Sequence, residues 1–417
     1  MFESLSDFWI WNLFLNVLGY GMLVFPSYLL IQHLKRINYK ENGNQSKFYY
    51  SFLVKCVYGD EPYEILPTAN EELNTGQSSS NSVEESFAKK AFKLMFCAIG
   101  LQTAYLTWGV LQERIMTQSY GEVLSGDGQT VIDAGAKFGN SQFLVFVNRV
   151  LALLVAWLYI KNSSQPRTTV PTYKYSYCSL SNVMSSWFQY EALKYVSFPT
   201  QVLGKACKVI PVMIMGKFVS GNKYSWFEWF TALLLSIGVS FFLFGTPQDT
   251  SKGADSTGLS GLLLMVGYMG FDSFTSNWQG QLFKEYKMSS FQMMLGVNLF
   301  STTFTLGSLI QRGDFLNSIA FMLTYGEFMW HCIILSICSA VGQLFIYYTI
   351  GQFGAVVFII IMTTRQALAI LLSCVIYGHP VTAVGLLGIL TVFLALGLRI
   401  HNTWAKKKKE AASKAQS

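Results

Sequence analysis

Two lysines three residues apart stand inside an apolar run: KACKVIPVMIMGK, positions 205–217, carries Lys205 and Lys208, with Lys217 near its end. On a helix, a spacing of three puts both side chains on nearly the same side. Arg365 lies deep in a second apolar run. A basic side chain at the centre of a membrane-spanning helix costs about 2.5–3.5 kcal/mol on insertion scales. Three such groups come to roughly 8–10 kcal/mol, comparable to the stability of a typical domain. Acids that could offset them are scarce. Glu191 and Asp272 are the main ones inside apolar runs, and Glu191 has Lys194 three residues away. Two carboxylates cannot neutralise all these bases. The pattern therefore points to a water-filled cavity whose charge is met by an anionic substrate, with polyanionic phosphate the natural partner. Pairing or snorkelling is the competing reading; it suits Lys93 and Lys194, while Arg149 stands open between the two.

Groups suited to a nucleoside accompany this cluster. The apolar runs also carry Gln102, Tyr105 and Trp108; Trp187, Gln189 and Tyr190; Tyr268, Asp272, Asn277 and Trp278; Gln292 and Asn298; and Gln343, Tyr347 and Tyr348. Aromatic rings can stack on a base and amides can read its edge. For any one aromatic, packing is the commoner role. An amide inside a membrane has the stronger claim, because it needs a hydrogen-bond partner. The substrate-binding set expected here is Lys205, Lys208, Arg365, Gln201, Tyr190, Glu191, Tyr105, Gln102, Asn277, Asn298, Gln343 and Tyr347. No catalytic residue, metal ligand or cofactor is expected.

Such residues need a membrane scaffold, and the composition supplies one. The chain has 417 residues, 52% hydrophobic and only 13% charged. Soluble proteins carry about 25% charged residues. A membrane helix needs roughly 20 mostly apolar residues. Eleven candidate spans lie at about 8–33, 90–112, 141–160, 173–195, 199–219, 226–246, 257–283, 288–311, 328–350, 354–377 and 380–400. The first is too long for a signal peptide and lacks a basic leader, so it is kept as a helix. Seven cysteines form no CxxC pair and read as small packing residues.

Between the first two spans lies a polar stretch at 34–89, whose core NEELNTGQSSSNSVEES should be disordered. The connection at 113–140 is rich in Gly, Asp and Glu, and the tail AKKKKEAASKAQS reads as unstructured. Lysine and arginine orient the spans. With the C-terminus in the cytosol, twenty of them fall in cytosolic segments and four on the opposite side. The N-terminus is then lumenal, and the net charge of +7 follows from topology, with no nucleic-acid partner implied. Two glycosylation sequons, beginning at Asn44 and Asn162, fall on the cytosolic side and should be unmodified.

An internal repeat organises the spans. With Lys208 laid on Arg365, Gly221 falls on Gly378, thirteen residues on in each half, and each is soon followed by another apolar run. The expected domains are an extra N-terminal helix (1–33), a cytosolic loop (34–89), a first five-helix repeat (90–246), a second (257–400) and a basic tail (401–417). Five spans per repeat is an odd number, so the halves must lie in opposite orientation. Inverted repeats place substrate near the midplane where they meet. The fold class is thus an all-α membrane protein.

SFPTQVLGKACKVIPVMIMGK (197–217) and GQLFIYYTIGQFGAVVFIIIMTTRQ (342–366) resemble signatures of the nucleotide-sugar transporter family, in the drug/metabolite transporter superfamily. LTWGVLQERIMTQSYG (106–121), FDSFTSNWQ (271–279) and YKMSSFQMMLGVN (286–298) resemble the branch of that family that carries 3′-phosphoadenosine 5′-phosphosulfate (PAPS), the activated sulfate donor. The likeness runs from about position 8 to 400. It implies a ten-helix inverted-repeat core with alternating access, exchanging a cytosolic nucleotide conjugate for a lumenal nucleotide in the Golgi membrane. It also implies phosphate contacts at Lys205, Lys208 and Arg365; many relatives have Arg-Lys where this chain has Arg365-Gln366. The partners implied are PAPS, a counter-transported nucleotide and membrane lipid, with room for a homodimer.

The residues alone leave a UDP-sugar transporter of the same fold open beside a PAPS transporter. A membrane transferase is the third reading. It would need an acid–base or metal constellation, and no HExxH, GxSxG or P-loop occurs.

Overall fold

The structure, a computed structural model, describes residues 9–43, 49–59, 87–117, 119–121, 123–124, 131–133, 135–163, 168–192, 207–244, 259–286, 288–362, 364–365 and 382–416. For some of these, Tyr190 and 403–416 among them, it describes the backbone alone. Helices occupy the apolar runs: α1 (Trp9–Arg36), α4 (Phe87–Thr117), α5 (Ser141–Asn162), α6 (Tyr173–Ala192), α7 (Val209–Ser220), α8 (Trp226–Phe244), α9 (Leu259–Glu285), α10 (Ser290–Arg312), α12 (Gly326–Phe353), α13 (355–362) and α14 (Ala383–Gln416). Among the described residues, four helical stretches are long and apolar enough to cross a membrane: Ala91–Gln112, Gln142–Asn162, Ser290–Gln311 and Gly326–Phe353.

Local sequence fixes several helix ends. Asn140 caps α5, its Oδ1 accepting from the Phe143 amide at 3.1 Å. Ser289 and Gln292 form a reciprocal capping box at the start of α10. Gly313 ends α10 with φ 73°, a left-handed geometry that glycine adopts without strain.

The chain folds into two compact units, and each draws on both halves of the sequence: 1–180 with 282–349, and 181–281 with 350–417. In the first unit, α5 packs along α10. Polar side chains stitch its helices where water is absent. Ser336 donates to Asn148 at 2.7 Å, joining α12 to α5. Ser179 donates to the Val297 carbonyl at 2.8 Å, joining α6 to α10. One end of this unit carries an aromatic cluster of Tyr120, Phe138, Phe143 and Phe328, with Phe321 packed against it. The Tyr120 hydroxyl meets His331 Nδ1 at 3.1 Å.

In the second unit, α8 packs along α14. A Cβ built on Gly238 would lie 2.9 Å from the Val392 nitrogen and 3.1 Å from the Gly388 carbonyl, so the two backbones nearly touch. Ser181 donates to the Phe271 carbonyl at 2.6 Å, tying α6 to α9.

Several expectations need correction. The stretch 34–89 contains two short helices, α2 (Tyr39–Asn42) and α3 (Tyr50–Tyr58); its serine-rich core lies outside the described residues. The connection 113–140 is not plain loop. It forms antiparallel strand pairs, β1 (Ser119–Tyr120) with β4 (Ala136–Lys137) and β2 (Val123–Leu124) with β3 (Val131–Asp133). Tyr120 and Phe138 anchor this hairpin by burying their rings. A further helix, α11 (Asp314–Thr324), follows Gly313 directly. The tail, expected to be unstructured, continues α14 as helix to Gln416. Its Ala, Lys, Glu and Gln residues are strong helix formers, so propensity carries the backbone on beyond the apolar run.

Candidate functional site: buried polar clusters in each unit

Lys208 stands at the N-cap of α7. Its ammonium forms an ion pair with Asp272 on α9. It also lies 5.6 Å from the centre of the Tyr268 ring, one turn before Asp272 on the same helix. For Lys208 the competing reading, pairing with a buried carboxylate, therefore has its partner on α9. One turn further along α7, the Asn277 amide donates at 2.9 Å to the carbonyl of Val212 and at 2.9 Å to that of Ser273. Both amide hydrogens thus serve the backbone. Gly216 follows on the same face of α7; a Cβ there would fall 2.4 Å from the Tyr224 hydroxyl and 2.8 Å from Asn277 Oδ1. Only a residue without a side chain lets α9 and Tyr224 approach so closely.

Arg365 lies just beyond α13, partly buried. Glu191 on α6 is buried. Lys205, Gln201 and Lys194 fall outside the described residues, and Tyr190 is described by its backbone only.

The first unit has its own polar cluster, centred on Asn298, which is wholly buried on α10. Asn298 donates to the Gln343 side-chain carbonyl at 2.8 Å and to the Met294 carbonyl at 2.8 Å. Its own side-chain carbonyl accepts from Arg149 of α5 at 3.4 Å. Gln343 on α12 also donates to Ser339 at 3.4 Å. Tyr347, one turn along from Gln343, is buried. Tyr105 on α4 packs edge-on to Trp108, and its ring lies against Gly342. Gln102 is half-buried on the same helix. Gln292, read from sequence as a base-reading amide, is instead used in the α10 cap.

The structure thus hydrogen-bonds Asn298 to Gln343, two members of the expected binding set, and pairs Lys208 with a carboxylate. Two charged members of these clusters were absent from the expected binding set. Arg149 was visible as one of six basic residues inside apolar runs. Asp272 was visible as a rare intramembrane acid. The missing information was the pairing, which spans residues far apart in sequence.

Helices of membrane-crossing length that enclose charged and amide side chains define an integral membrane protein with polar groups held inside its helical units. The chain belongs to the UAA transporter family, which it matches over residues 93–403. It is 54% identical over 399 residues to a human protein named adenosine 3′-phospho 5′-phosphosulfate transporter 1, covering 96% of this chain and 88% of that one. A Drosophila melanogaster protein of the same name is 49% identical over 95% of this chain and 84% of its own. An Arabidopsis thaliana protein named UDP-galactose/UDP-glucose transporter 5 is 37% identical over 81% of this chain and 94% of its own. These relatives are named as transporters, not enzymes.

Proposed function

We propose that the protein carries PAPS from the cytosol into the Golgi lumen, where sulfotransferases use it, in exchange for a lumenal adenine nucleotide. The observation that carries this reading is the 54% identity, across nearly the whole chain, to a protein named for that substrate. The relative named for UDP-sugars is more distant at 37%. Partly buried Lys208 and Arg365 are cations suited to the phosphates of such a ligand.

The inverted-repeat core, 90–246 and 257–400, is part of the same proposal. Its support is the packing of counterpart helices. The α5–α10 pair joins the second helix of each half, and the α8–α14 pair joins the fifth of each half. The binding set proposed is Lys205, Lys208 and Arg365 for the anionic groups, with Tyr105, Gln102, Asn298, Gln343 and Tyr347 on the nucleoside. The C-terminus is cytosolic and the N-terminus lumenal.

Purified protein in liposomes tests the substrate. Labelled PAPS should accumulate, faster with 3′-phosphoadenosine 5′-phosphate inside the vesicles, and excess UDP-sugar should compete poorly. Preferential uptake of UDP-galactose would replace this reading with the UDP-sugar one. Uptake indifferent to internal nucleotide would remove the exchange.

A further inference from the structure

Among the described residues, Asp272 pairs with a cation of the proposed phosphate site; its paired oxygen is buried, yet neither side chain is wholly enclosed. The Lys208 and Asp272 side chains retain 15% and 22% of their exposure. We propose that Asp272 is a tethered stand-in for the substrate's phosphate: it neutralises Lys208 when the carrier is empty, and an entering phosphate must displace it. This rests on Lys208 being a phosphate ligand, as proposed above, and adds a rule for which anions can bind.

The rule follows from charge. A ligand that takes Lys208 exchanges one anion for another at the same ammonium. A singly charged oxyanion replaces a carboxylate of equal charge and gains little. A terminal phosphomonoester has a second pKa near 6, so it carries close to two negative charges at neutral pH and outbids the carboxylate. The apparent affinity of every ligand that takes Lys208 is lowered by the fraction of carriers in which Lys208 is already engaged, and a dianion gains enough at the ammonium to make up that loss. PAPS offers such a group at its ribose 3′ position. Its phosphosulfate, and the diphosphate of a UDP-sugar, offer singly charged oxygens. Asp272 then tunes the affinity of ligands that use Lys208 without ever touching them.

The geometry suits displacement. Asp272 and Lys208 come from different helices, α9 and the N-cap of α7, so rotamer changes alone can part them. Tyr268 stays over the ammonium when the carboxylate withdraws, so the cation keeps one partner through the exchange. The start of α7 also favours an anion beside Lys208 through its helix dipole. The Asn277–Val212 hydrogen bond holds α7 to α9 one turn away, so parting the ion pair need not separate the helices.

The test is competition for labelled PAPS uptake in proteoliposomes by 3′-phosphoadenosine 5′-phosphate, which has the 3′ group, and adenosine 5′-phosphosulfate, which lacks it. Wild-type protein should be inhibited far more strongly by the first. In Asp272→Asn the ratio of the two inhibition constants should rise about tenfold or more, chiefly through tighter binding of 3′-phosphoadenosine 5′-phosphate, which no longer has to displace the carboxylate, while adenosine 5′-phosphosulfate, lacking the 3′ group, changes little; that is the scale of one charge-assisted hydrogen bond. Asp272→Glu should restore the wild-type ratio. If Asp272→Asn binds without transporting, the same ratio is read from ligand-induced melting shifts in detergent. A wild-type ratio in Asp272→Asn overturns the proposal. So does an Asp272→Asn protein that cannot be recovered folded when Asp272→Glu can, since that marks a structural counter-ion. Wild-type protein that takes up no PAPS overturns the transport reading and this inference together.

Discussion

Arg149 donates to the side-chain carbonyl of Asn298 at 3.4 Å, and Asn298 passes a hydrogen bond to Gln343 at 2.8 Å. A side chain of α10, itself bonded to α12, thereby meets the guanidinium carried by α5. The Asn298 carbonyl helps to orient it. An oriented arginine recognises an oxyanion in a fork geometry that lysine cannot copy.

Arg149→Lys should therefore fail to preserve function. Uptake per reconstituted protein is expected to fall about tenfold or more, the scale of one charge-assisted hydrogen bond, with insertion intact. Wild-type uptake would assign Arg149 to helix packing alone.

Lys208→Ala should lose both transport and stability. It leaves the Asp272 carboxylate without its cation. Breaking a fully buried pair costs about 3–5 kcal/mol, and partial exposure of this one places it below that range. The double variant Lys208→Ala/Asp272→Asn should recover most of the stability and none of the uptake. Melting temperatures in detergent, beside uptake, separate the two effects; a double variant as unstable as the single one contradicts the pairing.

Asn277 and Gly216 should act on stability and spare substrate affinity. Asn277→Leu removes two backbone-directed hydrogen bonds and the tie they make between α7 and α9, at a cost of about 1–3 kcal/mol. Gly216→Ala forces a methyl against Tyr224 and Asn277, with a similar cost of about 1–3 kcal/mol from overpacking. Both should lower the melting temperature while KM for PAPS stays put. A raised KM in Asn277→Leu with unchanged melting would return Asn277 to the ligand.

Glu285 gives a pH prediction. The Lys174 ammonium donates to it at 2.7 Å and holds its carboxyl below the usual range, against an opposing effect of burial. A lowered carboxylate contributes stability above its ordinary pKa and loses it as pH falls through the lowered value. The side chain is 43% exposed, so solvent screens the effect to about 1 kcal/mol or less. Wild type should melt slightly above Glu285→Gln at pH 6, and the gap should close on acidification below about pH 4. A gap that widens in acid reverses the sign and refutes the assignment.

Topology can be read with tags. Permeabilising only the plasma membrane should let antibody reach a C-terminal tag and not an N-terminal one. Reaching both would remove one span from the arrangement of eleven.

Most of the helical framework was legible because hydropathy and length decide it, and α4, α5, α10 and α12 lie where the apolar runs do. Connections were less legible. The 113–140 segment folds on contacts of Tyr120 and Phe138 with rings two hundred residues away, and composition shows no such partners. The tail misled because charge argues for exposure, while helix propensity acts whether or not a face is buried. At the site, residue types pointed to Lys208, Asn298 and Gln343. The partners Asp272 and Arg149 were visible as anomalies, but only the tertiary fold tells which anomaly answers which.

The near contact of α8 and α14 at Gly238 bears on how the protein is made. Residue 244 ends α8 and residue 383 begins α14, so at about 5–20 residues per second the ribosome needs roughly 7–28 s to deliver the partner. Throughout that interval α8 lacks the partner that closes over its Gly238 face in the finished fold. A chain cut short before α14 leaves that face permanently bare, which makes truncated products natural targets for membrane quality control.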